Sequence, residues 1–147
     1  AVEALREAVT QYKTQCKVVG EPQDEKSATY TAKITKNDCR VDTGISASGL
    51  INRIRGLSPS PCCRLDTEYG SLKIYAAHLT GNSAAVMTAA AELAVGALFT
   101  LTGKIYYKCI DGIIEITELQ REGKSRLDSA SFINGLRIKS DSLKILR

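Results

Sequence analysis

The sequence predicts a mainly β fold with peripheral helices, built on short antiparallel strands. Three observations lead there. Lys104–Ile110 and Ile113–Leu119 are β-branched and aromatic runs joined by Asp111-Gly112, a dipeptide that suits a two-residue type I′ turn. Arg64–Thr67 and Leu72–Ala77 flank Glu68-Tyr69-Gly70-Ser71 as a second hairpin. The helical patterns are short and lie outside these runs. About five strands with so little helix suit a small closed barrel, which removes exposed sheet edges, or a sandwich; pattern alone leaves both open.

The main hairpin has the more detailed expectation. A two-residue turn sets Ile110 opposite Ile113, Cys109 opposite Ile114, Lys108 opposite Glu115 and Tyr107 opposite Ile116. One face then carries Tyr107, Cys109, Ile114 and Ile116. The other carries Lys104, Tyr106, Lys108, Glu115 and Thr117, with an ion pair expected between Lys108 and Glu115.

In chain order, Val2, Leu5, Val9 and Tyr12 recur at helical spacing and predict an amphipathic helix over residues 1–16. So short a helix is marginal alone and is expected to dock on a neighbouring body. Gly20 to Lys36 has no clear period and reads as an extended linker. Ser46 or Ser48 caps a helix with Leu50, Ile51, Ile54 and Leu57 on its apolar side, ended at Gly56 and followed by Pro59 and Pro61. In the second hairpin Leu72, Ile74 and Ala76 alternate with Lys73 and Tyr75, the pattern of a half-buried strand. Residues 82–93 are alanine-rich and are the least readable stretch; Ser83 could cap a short helix there. After the main hairpin, Asp128 is the N-cap of a short helix anchored by Phe132 and Ile133 and stopped at Gly135.

Composition narrows the function classes. The chain has 147 residues, 44% apolar and 24% charged, with a net charge of +4, values ordinary for a globular domain. Nothing approaches the roughly eighteen apolar residues of a transmembrane helix, and no signal peptide is visible. Five cysteines, odd in number and without a Cys-x-x-Cys pair, read as reduced buried thiols rather than as a zinc site or disulfide framework. The single histidine, His78, allows no Ser/His/Asp arrangement, and no Gly-rich phosphate loop follows a strand. Asp111 belongs to a turn and Glu115 to a solvent face, so they are not a catalytic pair. What remains is cationic surface: Lys33 and Lys36 on the linker, Arg53 and Arg55 on the second helix, Lys73 on a strand, Lys104 and Lys108 on the main hairpin, then Lys124 and Arg126. Such groups hold phosphates without reading sequence. Taken singly, each lysine is equally the wet face of a strand. Tyr30, Tyr69, Tyr75 and Tyr106 are available either to stack on bases or to fill the core.

Three stretches carry a resemblance. The run ELQREGKSRLDSASFINGLRI, from Glu118, resembles the closing motif of methionyl-tRNA formyltransferases, an ELQ–EGK–R–FLNG pattern. Ile51–Pro61 is similar to that family's NQIRGLNPWP segment, and Pro22-Gln23 with Ala28–Ile34 resembles its interdomain connection. Thr43 and Ser60 stand where the family usually carries tryptophan or another aromatic, and Cys62-Cys63 replaces a Gly-Ala or Ala-Ala pair. The resemblance spans essentially the whole chain. It implies that residues 1–19 are the last helix of a formyltransferase domain, 20–40 an interdomain linker, and 41–147 a C-terminal oligonucleotide-binding-like (OB-like) antiparallel barrel. It implies a cytoplasmic parent enzyme that formylates the amino group of initiator methionyl-tRNA from 10-formyltetrahydrofolate. In such enzymes the catalytic Asn, His and Asp and a Ser-Leu-Leu-Pro loop lie in an N-terminal Rossmann-like domain, and none of these features is in this sequence. The chain is therefore expected to bind no cofactor, to be inactive alone, and to have initiator methionyl-tRNA and the formyltransferase domain as partners. By the same resemblance the nine basic residues above become a tRNA-binding set. Two alternatives stay open: a formyltransferase acting on another amine, such as an amino-sugar nucleotide, or a non-enzymatic nucleic-acid-binding or scaffold module.

Overall fold

The computed structural model describes residues 2–68, 70–81, 83–136 and 144–145 and divides into two compact units, Ala1–Lys33 and Ile34–Arg147. In the first unit, α1 (Val2–Gln15) is the expected amphipathic helix. It buries none of its side chains; Val2, Leu5, Val9 and Tyr12 stay exposed. Cys16, with φ of 50°, closes it. Beyond it the chain is irregular apart from a single 3-10 turn, Glu25–Ser27, capped by Asp24, whose carboxylate accepts from Lys26 N–H and Ser27 Oγ.

The second unit is mainly antiparallel sheet curled into a half-barrel, the barrel-like β class expected. Its strands are β1 (Cys63–Thr67), β2 (Gly70–Leu79), β3 (Leu98–Leu101), β4 (Lys104–Lys108), β5 (Ile113–Arg121), β6 (Arg126–Asp128) and β7 (Lys144–Ile145), paired in the order β1-β2-β5-β4-β3-β7. β6 pairs with β5 beyond the end of β4. β5 is thus the central strand, with β2 along one side and β4 then β6 along the other. Among the described residues β1 carries only a single bridge to Arg40 on its outer side and β7 ends the strand order, so the sheet curls where full closure was expected.

The inner face packs on α2 (Ala47–Leu57) and α4 (Ser129–Gly135). Leu50 and Ile54 of α2, Leu72 and Ile74 of β2, Ile105 and Tyr107 of β4, Ile114 and Ile116 of β5, and Phe132 and Ile133 of α4 form one core. With no tryptophan, Tyr107 and Phe99 are the largest fully buried side chains. Thr43 lies against Gly96: a Cβ on that glycine would sit 2.7 Å from the threonine methyl. Ser46 caps α2, accepting from Gly49 N–H at 3.1 Å. The helix runs through Gly56, not ending there; it stops at Ser58, whose extended backbone is what a following proline requires. Asp128 caps α4 as expected, accepting from Ser131 N–H at 2.9 Å, and Gly135 is the last helical residue rather than a stop beyond it. The alanine-rich segment does form a helix, α3 (Ala84–Ala90), following Ser83, whose side chain makes no capping bond. α3 covers part of the outer face, where Val86 and Ala90 meet Phe99, Tyr106 and Ile113 in a smaller cluster.

The main hairpin is offset by two residues from the expectation. Lys108 faces Ile113, Tyr107 faces Ile114, Tyr106 faces Glu115 and Ile105 faces Ile116. The connection is the four residues Cys109–Gly112, closed by Cys109 N–H donating to Gly112 O at 2.8 Å. Neither Asp111 nor Gly112 adopts positive φ; the two-residue turn with both φ positive lies one hairpin earlier, at Thr102-Gly103 between β3 and β4. The cause is tertiary. Asp111 Oδ1 accepts from Ala47 N–H at 2.7 Å, and Ile110 N–H reaches Ile45 O at 3.5 Å, so the loop is docked on the start of α2. An offset of two conserves side-chain parity, which is why the predicted apolar face survives. The β1–β2 hairpin is tighter than expected, Thr67 facing Gly70.

Candidate nucleic-acid interface

The sheet register builds a basic row. Arg64 of β1 faces Lys73 of β2, Lys73 faces Gln120 of β5, and Gln120 faces Arg126 of β6. Arg40 joins Arg64 through a parallel bridge. Directly paired residues project from the same face of a sheet, so Arg40, Arg64, Lys73 and Arg126 share one row. Four strand spacings of about 4.8 Å spread it over roughly 19 Å. The flanking residues Cys63, Leu65, Leu72, Ile74 and Leu119 all point into the core, which turns the row to solvent by the period of two.

Carboxylates and amides fix parts of this surface. Arg40 pairs with Asp66 at 3.4 Å, both largely exposed. Arg53 of α2 donates to Arg40 O at 3.3 Å, bringing it beside the row. Arg126 pairs with Glu118 and lies over the Tyr75 ring, 4.4 Å from its centroid. Tyr75 Oη donates to Gln120 Oε1 at 2.6 Å, and Gln120 Nε2 donates to Lys124 O at 2.6 Å. The Gln-Arg-Glu-Gly-Lys-Ser-Arg motif therefore works locally as strand, turn and strand: its glutamine stitches the turn, and its last arginine stacks.

The expected basic residues separate into groups. Lys73, Lys124, Arg126 and Arg53 belong to or border the row, while Lys36 is exposed on the turn before Arg40 and Arg55 on the outer side of α2. Lys33 closes the first unit. Lys104 and Lys108 share an outward face, but neither presents a free charge. Lys104 Nζ meets Glu115 Oε2 at 3.0 Å, a bond that holds the ammonium above its ordinary range, and His78 Nε2 approaches the same oxygen at 3.5 Å. Lys108 Nζ donates to Ala90 O at 2.7 Å and Leu93 O at 2.6 Å, capping α3. The expected Lys108–Glu115 pair is replaced by Lys104–Glu115, because the two-residue offset sets Ile113 opposite Lys108. Arg40 and Arg64 stand in the row but outside the set expected from the sequence; the expected four-residue turn sets Arg64 opposite Tyr75, and only the tighter turn brings it opposite Lys73. Of the tyrosines, Tyr106 is buried against Phe99 with ring centroids 5.4 Å apart, its phenol pushed up by burial; Tyr30 is exposed, and Tyr69 lies outside the described residues.

A cleft of about 670 Å³ lies at the other end of the outer face, between His78, Val86, Leu101, Lys104, Tyr106 and Glu115. Among the described residues no cluster of histidine, cysteine and carboxylate side chains is arranged to hold a metal ion, and no helix is long and apolar enough to cross a membrane.

Residues 33–137 match the family described as formyl transferase, C-terminal domain. The chain is similar to methionyl-tRNA formyltransferases of Chlorobium luteolum (35% identity over 115 residues, 78% of this chain and 35% of the relative) and Methylococcus capsulatus (31%, 80% and 36%). That of Bradyrhizobium diazoefficiens is 36% identical over 122 residues, 80% of this chain and 36% of the relative. The chain spans about a third of these relatives' length. Among solved structures, a HypX variant from Aquifex aeolicus superposes with a TM-score of 0.68 at 17% identity, over 95% of this chain and 25% of that one. HypX in complex with tetrahydrofolic acid superposes at 0.64 and 15% identity, over 99% and 26%. At such identities the likeness is one of fold.

Proposed function

Because the chain belongs to the formyl transferase C-terminal domain family, we propose that it is the tRNA-gripping portion of a cytoplasmic methionyl-tRNA formyltransferase, an OB-like module acting in translation initiation. The parent would move a formyl group from 10-formyltetrahydrofolate to the amino group of methionine on initiator tRNA. The observation that carries the reading is the 31–36% identity, over about four-fifths of this chain, to proteins of that name. The role assigned to this portion is orientation: it holds the tRNA body electrostatically so that the amine meets a formyl donor held elsewhere in the parent. No residue of this chain is assigned to the folate.

The geometry supports one location for the grip. Arg64 and Lys73 make no ion pair among the described residues and stand on an open sheet face between Arg40 and Arg126, whose pairs with Asp66 and Glu118 are exposed, whereas Lys104 is held by the half-buried Glu115 and Lys108 by backbone carbonyls. The test is tRNA affinity against salt. Wild type should weaken as salt rises, with a log–log slope of at most about −0.9 per phosphate engaged. Arg64→Ala/Lys73→Ala should weaken binding to all tRNAs and flatten that slope by about one per residue removed. Affinity indifferent to salt, or a double variant that binds like wild type, would remove the row from the interface. Mixed with 10-formyltetrahydrofolate and charged initiator tRNA, the 147-residue chain alone should transfer no formyl group; turnover would overturn the division of labour.

A further inference from the structure

We propose that Arg126, laid over Tyr75, is a stacking platform for an unpaired nucleobase of the bound RNA. The inference rests on the RNA-binding reading and adds a base contact to a surface that otherwise offers only phosphate contacts. Three features point to it. Arg126 is pinned by the Glu118 carboxylate on one side and the Tyr75 ring beneath, yet its side chain remains 46% exposed. A guanidinium is planar and weakly hydrated, and with its Cζ 4.4 Å from the Tyr75 ring centroid the side turned away from the ring is open to a base.

The ring is itself held in place. The β2–β5 register shifts between Ile74 and Ala76, which makes Tyr75 the extra residue of a bulge and re-aims its side chain. Its hydroxyl is then tied to Gln120, and Gln120 to the turn at Lys124. Little side-chain freedom is left to lose when a base arrives. Lys73 stands in the same row, two strand spacings or about 10 Å from Arg126, where it would hold a phosphate beside the stacked nucleotide. Had Arg126 served only to neutralise Glu118, a lysine would serve as well, and the bulge and the Tyr75–Gln120 bond would be without consequence for a ligand.

The experiment compares two ligands on the full 147-residue chain: a short single-stranded oligoribonucleotide carrying 2-aminopurine, and the same backbone with abasic positions. The chain has no tryptophan, so 2-aminopurine emission is read without protein background. Wild type should prefer the base-bearing ligand by about five-fold or more, the size of one stacking contact, and should quench it. Arg126→Lys keeps the charge but loses the plane; it should bind the base-bearing and abasic ligands equally and lose the quenching. Equal affinity of wild type for the two ligands would overturn the platform whatever the variant does, and so would an Arg126→Lys protein that keeps the preference. If both ligands bind equally and weaken with salt, the platform falls and the RNA-binding reading stands. If neither ligand nor tRNA binds, both fall.

Discussion

Lys108 shows how a side chain read as surface charge becomes structural. Its ammonium lies just past the C-terminal end of α3 and donates to the carbonyl of Ala90, which also accepts from Leu93 N–H, and to that of Leu93, tying down the turn that leaves the helix. Lys108→Met should cost about 1–3 kcal/mol, the range for losing charge-assisted bonds to half-buried acceptors. It should speed amide exchange in α3 and leave the salt slope of RNA binding unchanged; a flattened slope would return Lys108 to the interface. The cysteines give a second prediction at this scale. Burial pushes the thiols of Cys63 and Cys109 up to about 11, against an ordinary 9.0, and raises Cys62 as well. A folded-state value above the unfolded one means that the stability involved is complete below about pH 9 and is lost as pH climbs toward 11. Thermal melts across that window should fall. At pH 8 a thiol reagent should find Cys16 fast and Cys39, Cys62, Cys63 and Cys109 slow, since only Cys16 is exposed. A flat stability profile from pH 8 to 11 would contradict the burial argument.

At the scale of elements, the β4–β5 connection and α2 are one device. Asp111 serves as a cap for α2 from sixty-four positions away, its carboxylate taking the Ala47 N–H while Ser46 takes that of Gly49. Asp111→Ala should cost about 1 kcal/mol, as loss of a helix cap does, and should release the loop from α2, visible as exchange broadening at Ile45–Ala47 and Cys109–Gly112. Asp111→Asn should restore most of the loss. If Asp111→Ala is silent, the loop is held by its own backbone and not by the helix.

At the scale of the whole second unit, the sheet has one strand that everything else depends on. β5 is paired along its length, to β2 on one side and to β4 and β6 on the other, while the exposed three-residue β6 has β5 alone. Amides of β5 should therefore be the last to exchange, and those of β6 among the first in the sheet; the reverse order would contradict the topology. The outer face of this sheet is divided, α3 covering the end with Phe99 and Tyr106 and the basic row lying open at the end with β6. That division leaves the row as the uncovered part of the outer face.

Much of this was legible in the residues. Period-two patterning identified β2, β4 and β5 and the inward set Tyr107, Cys109, Ile114 and Ile116, because burial of one sheet face acts on each residue independently. Local chemistry narrowed the α2 cap to Ser46 or Ser48 and found the cap Asp128 and the anchors Phe132 and Ile133, since a cap needs only its own next few residues. The register of the main hairpin was not legible in this way. Asp111-Gly112 carries a real turn preference, but a turn preference is worth little beside a carboxylate committed to a helix terminus, and α2 lies far off in sequence. The same holds for the basic surface. Which cations are free depends on what stands beside them, and Glu115 beside Lys104, α3 above Lys108, and Arg64 beside Lys73 are all products of strand pairing. Composition counted the charges; only the paired sheet decided which of them face an open surface together.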